Sequence, residues 1–231
     1  MAILGTKNHD NKEDAKDVFH FPTSKNALII FTRNPELGKC KTRLAATVGD
    51  ESALKIYEFL IQHTVSITKL ANADKFVFYS ENVQNNDQWE NMIYSKTEQV
   101  GEDLGARMYH AFADVFRRGY ENAIVIGSDM YDLSTQDLNE AFSALENNEF
   151  VIGPAEDGGY YLLGMKHLTA SVFRNKTWGT NTVLEETLKD LKDHSVCKLS
   201  IRNDVDYYED IKDIDVFKQF LSVPTNPKKD S

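Results

Sequence analysis

The chain has 231 residues, with 26 lysines and arginines against 36 aspartates and glutamates and a formal net charge of -10, a balance that argues against a general nucleic-acid binder, whose footprint is a basic excess. At 41% apolar and 11% aromatic residues it carries material for a real core, and since a single domain of this size buries roughly 70–75% of its unfolded surface, disorder throughout is excluded. No apolar run approaches the roughly 20 residues of a membrane span, and two cysteines, Cys40 and Cys197, form neither a disulfide framework nor a metal cluster by spacing.

In chain order, residues 1–26 carry Lys7, Asp10, Lys12, Glu13, Asp14, Lys16 and Asp17 with little periodicity and read as a flexible N-terminal tail. The apolar stretch of a secretory signal is missing there, which makes the cytoplasm the default location. A strand is expected at 27–32 (ALIIFT) and a helix follows Asp50, where Leu54, Tyr57, Ile61, Val65 and Ile67 recur near a 3.6-residue period. Residues 75–80 (KFVFYS) read as a strand, and Leu104, Met108, Ala111, Phe112 and Val115 line a second helix. Strands at 123–127, 150–153, 160–165 and 196–201 alternate with helices at 135–146 and 182–193, and 222–231 reads as a C-terminal tail. Nearly continuous apolar strands alternating with helices mean an α/β fold, helices covering both faces of a mainly parallel sheet. No linker or internal repeat interrupts 27–221, so one domain is expected.

Ligands of such sheets bind beyond the carboxyl ends of the strands, so four post-strand segments matter. After the first strand, Arg33, Lys39, Lys41 and Arg43 gather around Gly38. In an acidic chain this cluster is either a solvated connection or a polyphosphate cradle, in which Gly38 admits backbone amides and Lys39, Lys41 and Arg43 neutralise oxygens. The spacing is not that of a Walker A loop. Asp129, at the end of strand 123–127, is placed either to hold a hard cation such as Mg²⁺ or Mn²⁺ or to cap the following turn, to which Asp132 belongs. Asp157, Gly158 and Gly159 form a hairpin turn or a backbone surface for a sugar, with Asp157 bonded to a hydroxyl. Asp206 is either a helix cap, with Glu209 completing a capping box, or the second metal carboxylate.

The order P-E-L-G-K-C-K-T-R-L, G-E-D-L-G-A-R-M (101–108), I-G-S-D-M-Y-D-L (126–133), G-P-A-E-D-G-G-Y-Y-L-L-G (153–164), Trp178-Gly179-Thr180 and D-V-D-Y-Y-E-D (204–210) resembles one family over roughly residues 26–221. It is the bacterial radical-SAM-associated transferase family, of the arsenosugar-biosynthesis glycosyltransferase type, within the GT-A or nucleotide-diphospho-sugar transferase superfamily. The resemblance implies a three-layer α/β/α sandwich with a nucleotide over the strand ends. It implies Gly38, Lys39, Lys41 and Arg43 at the phosphates with Arg107 a further candidate, and Asp129 with Asp206 on Mg²⁺ or Mn²⁺. Tyr131 and Tyr207 stand where the family usually has Pro and Thr.

Such a transfer needs no covalent nucleophile: positioning and electrostatic stabilisation of the leaving phosphate suffice. The expected substrates are a nucleotide sugar and a small-molecule acceptor, with glycosyl transfer leading. Nucleotidyl transfer from a nucleoside triphosphate is the near alternative, and a nucleotide-binding protein with a degenerate site is the third. Asp157 would act as base or orienting group toward the acceptor, and Trp178 offers a flat face for a sugar or packs as core. A Cys40 thiolate favoured by Lys39 and Lys41 is a weaker rival, and the six histidines form no zinc motif.

Overall fold

The computed structural model describes residues 22–221; the tails read at 1–21 and 222–231 lie outside the described residues. The strands are β1 (Asn26–Thr32), β2 (Asp74–Tyr79), β3 (Tyr94–Glu98), β4 (Asn122–Gly127), β5 (Phe150–Pro154), β6 (Tyr160–Met165) and β7 (Val196–Lys198). The α-helices are α1 (Thr42–Val48), α2 (Asp50–Lys69), α3 (Leu104–Arg117), α4 (Thr135–Asn147) and α5 (Val183–Asp190). Residues 23–26, assigned above to the tail, are tied to the sheet. Thr23 donates its backbone N–H to Asp74 Oδ2 at 2.8 Å, and Asn26 opens β1.

The strands form one seven-stranded sheet in the order β3-β2-β1-β4-β6-β5-β7. Among them only β6 runs antiparallel to its neighbours, through the hairpin from β5, so the sheet is mainly parallel. From β1 the chain moves outward through β2 to β3, then crosses by way of α3 to β4 on the other side of β1. The direction of winding reverses between β1 and β4, where an open α/β sheet leaves a crevice for a ligand.

Alternate strand residues face opposite sides, and both sides are covered. Leu28, Ile30, Ile124 and Ile126 pack with Tyr57, Ile61 and Val65 of α2 and Leu138, Phe142 and Leu145 of α4. Ala27, Ile29, Ala123 and Val125 pack with Met108, Ala111, Phe112 and Val115 of α3. This is the three-layer arrangement expected, and each fully buried Leu or Ile contributes about 1.5–3 kcal/mol relative to exposure. A third cluster joins Leu44 of α1 and Ala53, Ile56 and Leu60 of α2 to Val205, Ile211 and Phe217, pinning the C-terminal segment beside the strand ends.

Three elements differ from expectation. The edge strand β3 (YSKTE) buries only Tyr94 fully, so it lacks the apolar signature of a covered strand. Helix α1, not among the expected elements, follows directly from the basic loop, takes in Arg43, and buries Leu44 alone. β7 ends at Lys198, and Ile201, counted as a strand residue, is 66% exposed.

Candidate active site

A cleft of about 980 Å³ opens where β1 and β4 end, bounded by Thr32, Arg33, Lys41, Gly127, Ser128 and Asp129. A buried hydroxyl network ties the two strand ends together. Tyr57 Oη of α2 accepts the Arg33 N–H at 2.8 Å and lies 3.1 Å from Ser128 Oγ, which donates to Thr32 Oγ1 at 3.1 Å. Burial pushes the Tyr57 phenol upward, so it stays neutral. Sequence periodicity assigned Tyr57 to an apolar helix face, and no sequence signal separates its packing ring from its working hydroxyl.

Lys41 is the centre of the site. Its side chain is 6% exposed, and its Nζ donates to Asp129 Oδ2 at 3.0 Å and Asp206 Oδ1 at 3.1 Å. Arg43 Nη1 donates to Asp206 Oδ2 at 2.9 Å while its guanidinium lies 5.6 Å over the Tyr207 ring. Burial works against the Lys41 charge, but Asp129 and Asp206 outweigh it and hold the ammonium above its ordinary range. Asp206 shows the converse: burial opposes its ionisation, and Lys41 and Arg43 still keep it below the usual carboxylate value. Asp204, pushed up to about 6 by burial and by Asp129 against the pull of Lys41, also faces the cleft.

These carboxylates come together because Val205 between them is buried at 3% exposure and donates its N–H to the Asp129 backbone oxygen at 3.2 Å. The N-cap expected at Asp206 stands at Tyr207, and the reciprocal position expected of Glu209 is taken by Asp210, whose Oδ2 accepts the N–H groups of Asp206 at 2.9 Å and Tyr207 at 2.6 Å. The Asp206 side chain is thereby left to the cleft.

The other expected residues divide. Lys39 borders the cleft but is paired to Glu36 at 2.6 Å and exposed. Gly38 turns the loop at φ +75° and lies outside the cleft lining. Arg107 reaches the cleft from α3, its Nε donating to Gly101 O at 3.0 Å and its Nη1 to Gln99 Oε1 at 3.3 Å. Asp157 and Gly159 also line the cleft, with Asp157 Oδ1 accepting the Gly159 N–H at 2.8 Å. Gly158 lies outside that lining; at φ +87° it sits where a Cβ would stand 2.3 Å from Asn181 O, so it serves the docking of the hairpin on the approach to α5. Trp178 borders the cleft against Gly105 of α3. The Cys40 thiol is buried and donates to Glu36 O at 3.4 Å. Desolvation pushes its pKa up, opposite to the thiolate rival.

Tyr131 stands apart from the cleft lining, its ring 5.9 Å from Phe59, 5.2 Å from His63 and 5.0 Å from Phe217. Tyr131 therefore puts no ring between the candidate metal carboxylates, and Tyr207, exposed beneath Arg43, is likewise outside the cleft lining.

Among the described residues no group of three or more His, Cys, Asp or Glu side chains forms a ready-made metal cage. A divalent ion carried on a polyphosphate needs only one or two protein carboxylates, with phosphate and water oxygens completing its shell. Asp129 and Asp206 beside one open cleft, with Asp204 adding carboxylate excess, fit that hard-oxygen chemistry. No described helix is long and apolar enough to cross a membrane.

The profile of the family described as "uncharacterized protein conserved in bacteria" (DUF2064) matches residues 64–180. That span contains Arg107, Asp129, Asp157 and Trp178, while Lys41, Arg43 and Asp206 lie beyond it. Among solved structures, a candidate nucleotide-diphospho-sugar transferase from Desulfovibrio desulfuricans G20 is 30% identical and superposes with a TM-score of 0.75 over 80% of this chain and 83% of that one. The 4-diphosphocytidyl-2C-methyl-D-erythritol synthase of Anaerococcus prevotii DSM 20548 is 10% identical with a TM-score of 0.54 over 85% of this chain and 96% of that one, a likeness of fold alone. No curated protein matches the chain. With its matched span and its 30% identical relative taken together, the chain belongs to the DUF2064 family of proteins conserved in bacteria, on the nucleotide-diphospho-sugar transferase fold.

Proposed function

We propose that the protein is a metal-dependent nucleotide-diphospho-sugar transferase that moves a glycosyl group from a nucleotide sugar to a small-molecule acceptor. The observation that carries this reading is the convergence of Lys41, Arg43, Asp129 and Asp206 at the switch point of the sheet. Lys41 and Arg43, with Lys39 at the rim and Arg107 lining the same cleft from α3, hold the donor phosphates and stabilise the negative charge that grows on the leaving diphosphate. Mg²⁺ or Mn²⁺ on Asp129 and Asp206 would supply further neutralisation there. Asp157, with one oxygen fixed by Gly159, orients the acceptor hydroxyl, and Gly159 and Trp178 border the sugar.

Nucleotidyl transfer with release of pyrophosphate is the second reading, favoured by the concentration of cations at 39–43 in the loop that follows β1 and enters α1. Against a degenerate binding protein stands the packing of Tyr131 against the third core cluster, away from the cleft lining. A glycosyltransferase of the arsenosugar-biosynthesis type is the narrowest form of the first reading, and a cytoplasmic location accompanies it.

The test is thermal stabilisation of the purified protein by nucleoside triphosphates and nucleotide sugars with Mg²⁺, Mn²⁺ or EDTA, followed by product analysis. Stabilisation by a nucleotide sugar with release of a nucleoside diphosphate is the expected result. Pyrophosphate release from a triphosphate would transfer the case to the second reading, binding without turnover would favour the degenerate site, and no response to any nucleotide would overturn all three.

A further inference from the structure

Both carboxylate oxygens of Asp206 are already held by cations, Oδ1 by Lys41 at 3.1 Å and Oδ2 by Arg43 at 2.9 Å, and Asp129 Oδ2 accepts from the same Lys41 ammonium at 3.0 Å. Lys41 is built into this position. Its side chain is 6% exposed, and its backbone lies in the left-handed region at φ 48°, ψ 45°. It sits at the entry to α1, where its carbonyl accepts the Ala45 N–H at 2.8 Å. A non-glycine residue holds that conformation only when its surroundings fix it. Here they aim a long cation between the two carboxylates.

We infer that Lys41 is a resident cation of the metal site: without phosphates its ammonium occupies the place between Asp129 and Asp206 and excludes divalent ions, and a polyphosphate admits the metal by drawing Lys41 and Arg43 off the carboxylates. This rests on the metal-binding reading above. A divalent ion approaching these oxygens meets a like charge near contact distance and carboxylates whose charge is already neutralised. Phosphate oxygens are strong, charge-assisted acceptors for both Lys and Arg. Their arrival frees Asp129 and Asp206 and brings additional hard-oxygen ligands for the ion. Phosphate and metal then bind with positive coupling, and by linkage each raises the affinity of the other.

The experiment titrates the full chain with Mn²⁺ alone, reading free Mn²⁺ by electron paramagnetic resonance. Lys41→Gly removes the ammonium and suits the left-handed backbone; Lys41→Met is the second variant, and thermal unfolding confirms that each is folded. Both are expected to bind Mn²⁺ at least about tenfold more tightly than the wild type, because a like charge has been removed. Adding Asp129→Asn to either variant should abolish the gained site. Equal Mn²⁺ affinity in wild type and variants, lost with Asp129→Asn, would overturn the inference while leaving the metal site standing. Absence of any Asp129-dependent Mn²⁺ binding in the variants would overturn the metal-site reading and the inference together.

Discussion

Gly105, in the first turn of α3, offers a test in which two ordinary effects have opposite signs. Replacing a helical glycine with alanine gains at most about 1 kcal/mol of helix propensity, so the default expectation is stabilisation. Here the added methyl would stand 2.4 Å from the Phe173 carbonyl oxygen and 2.7 Å from Trp178 Cζ2 and Nε1. The carbonyl belongs to a residue that is 5% exposed and packs its ring 5.7 Å from Phe112, so relief requires the backbone around 173–178 to move. Overpacking of this kind costs about 1–3 kcal/mol, or more where backbone shifts. Set against the helix gain, Gly105→Ala should lose about 1–2 kcal/mol, and for a domain of this size such a loss lowers Tm by roughly 2–8 °C. Urea unfolding and a thermal melt measure it. Because Trp178 borders the cleft, its emission should shift in the folded variant, while Trp89, at 2% exposure, remains in its own core. A Gly105→Ala protein as stable as the wild type, or more so, would refute the claim that this glycine exists to let the 173–178 segment dock on α3.

Asp129→Asn should lower metal-dependent turnover about 100-fold or more, the scale at which a single electrostatic group in a transfer site acts; unchanged kcat would remove Asp129 from the site. Tyr57→Phe leaves the Arg33 N–H without its 2.8 Å acceptor and should cost about 1–3 kcal/mol in chemical denaturation, and an unaltered midpoint would mean that the hydroxyl network carries no weight. Burial opposes the charge of Asp137, but its bonds to Ser134 and Arg202 hold its pKa below the usual value. A carboxyl depressed on folding stabilises above its unfolded pKa of about 3.9, and that contribution is lost as pH falls through the lower folded value. The acid limb of the stability curve should therefore flatten in Asp137→Asn; an identical slope would dissociate this cap from acid unfolding.

The elements legible from sequence are those whose surroundings leave a periodic imprint. β1 and β4 are covered on both faces and so read as unbroken apolar runs, and α2 and α3 each present one face to the sheet. The polar strand β3 needs apolar contact only at Tyr94 to join the edge, and a seven-residue helix with Leu44 alone buried, such as α1, offers no period to detect. Both escape a reading based on repetition for the same reason: their place is decided by neighbours, through the β2 ladder in one case and the third core cluster in the other.

The site divides along a similar line. Residue types announced the chemistry, since four cations in a short loop of an acidic chain and carboxylates after strands are local facts. Which cation enters the cleft is decided by backbone conformation. Gly38 at φ 75° and Lys41 at φ 48° turn the loop twice, leaving Lys39 at the rim on Glu36 and Lys41 buried on Asp129 and Asp206. The ambiguity at Asp206 has the same origin, because cap and ligand require the same residue type. Asp210, four residues on, relieves Asp206 of the cap by accepting the Asp206 and Tyr207 N–H groups, and the buried Val205 leaves its two flanking aspartates on the cleft. A carboxylate relieved of local backbone duty is available to long-range partners, and the partner it finds, 165 positions away in the chain, is a lysine that no spacing rule would have paired with it.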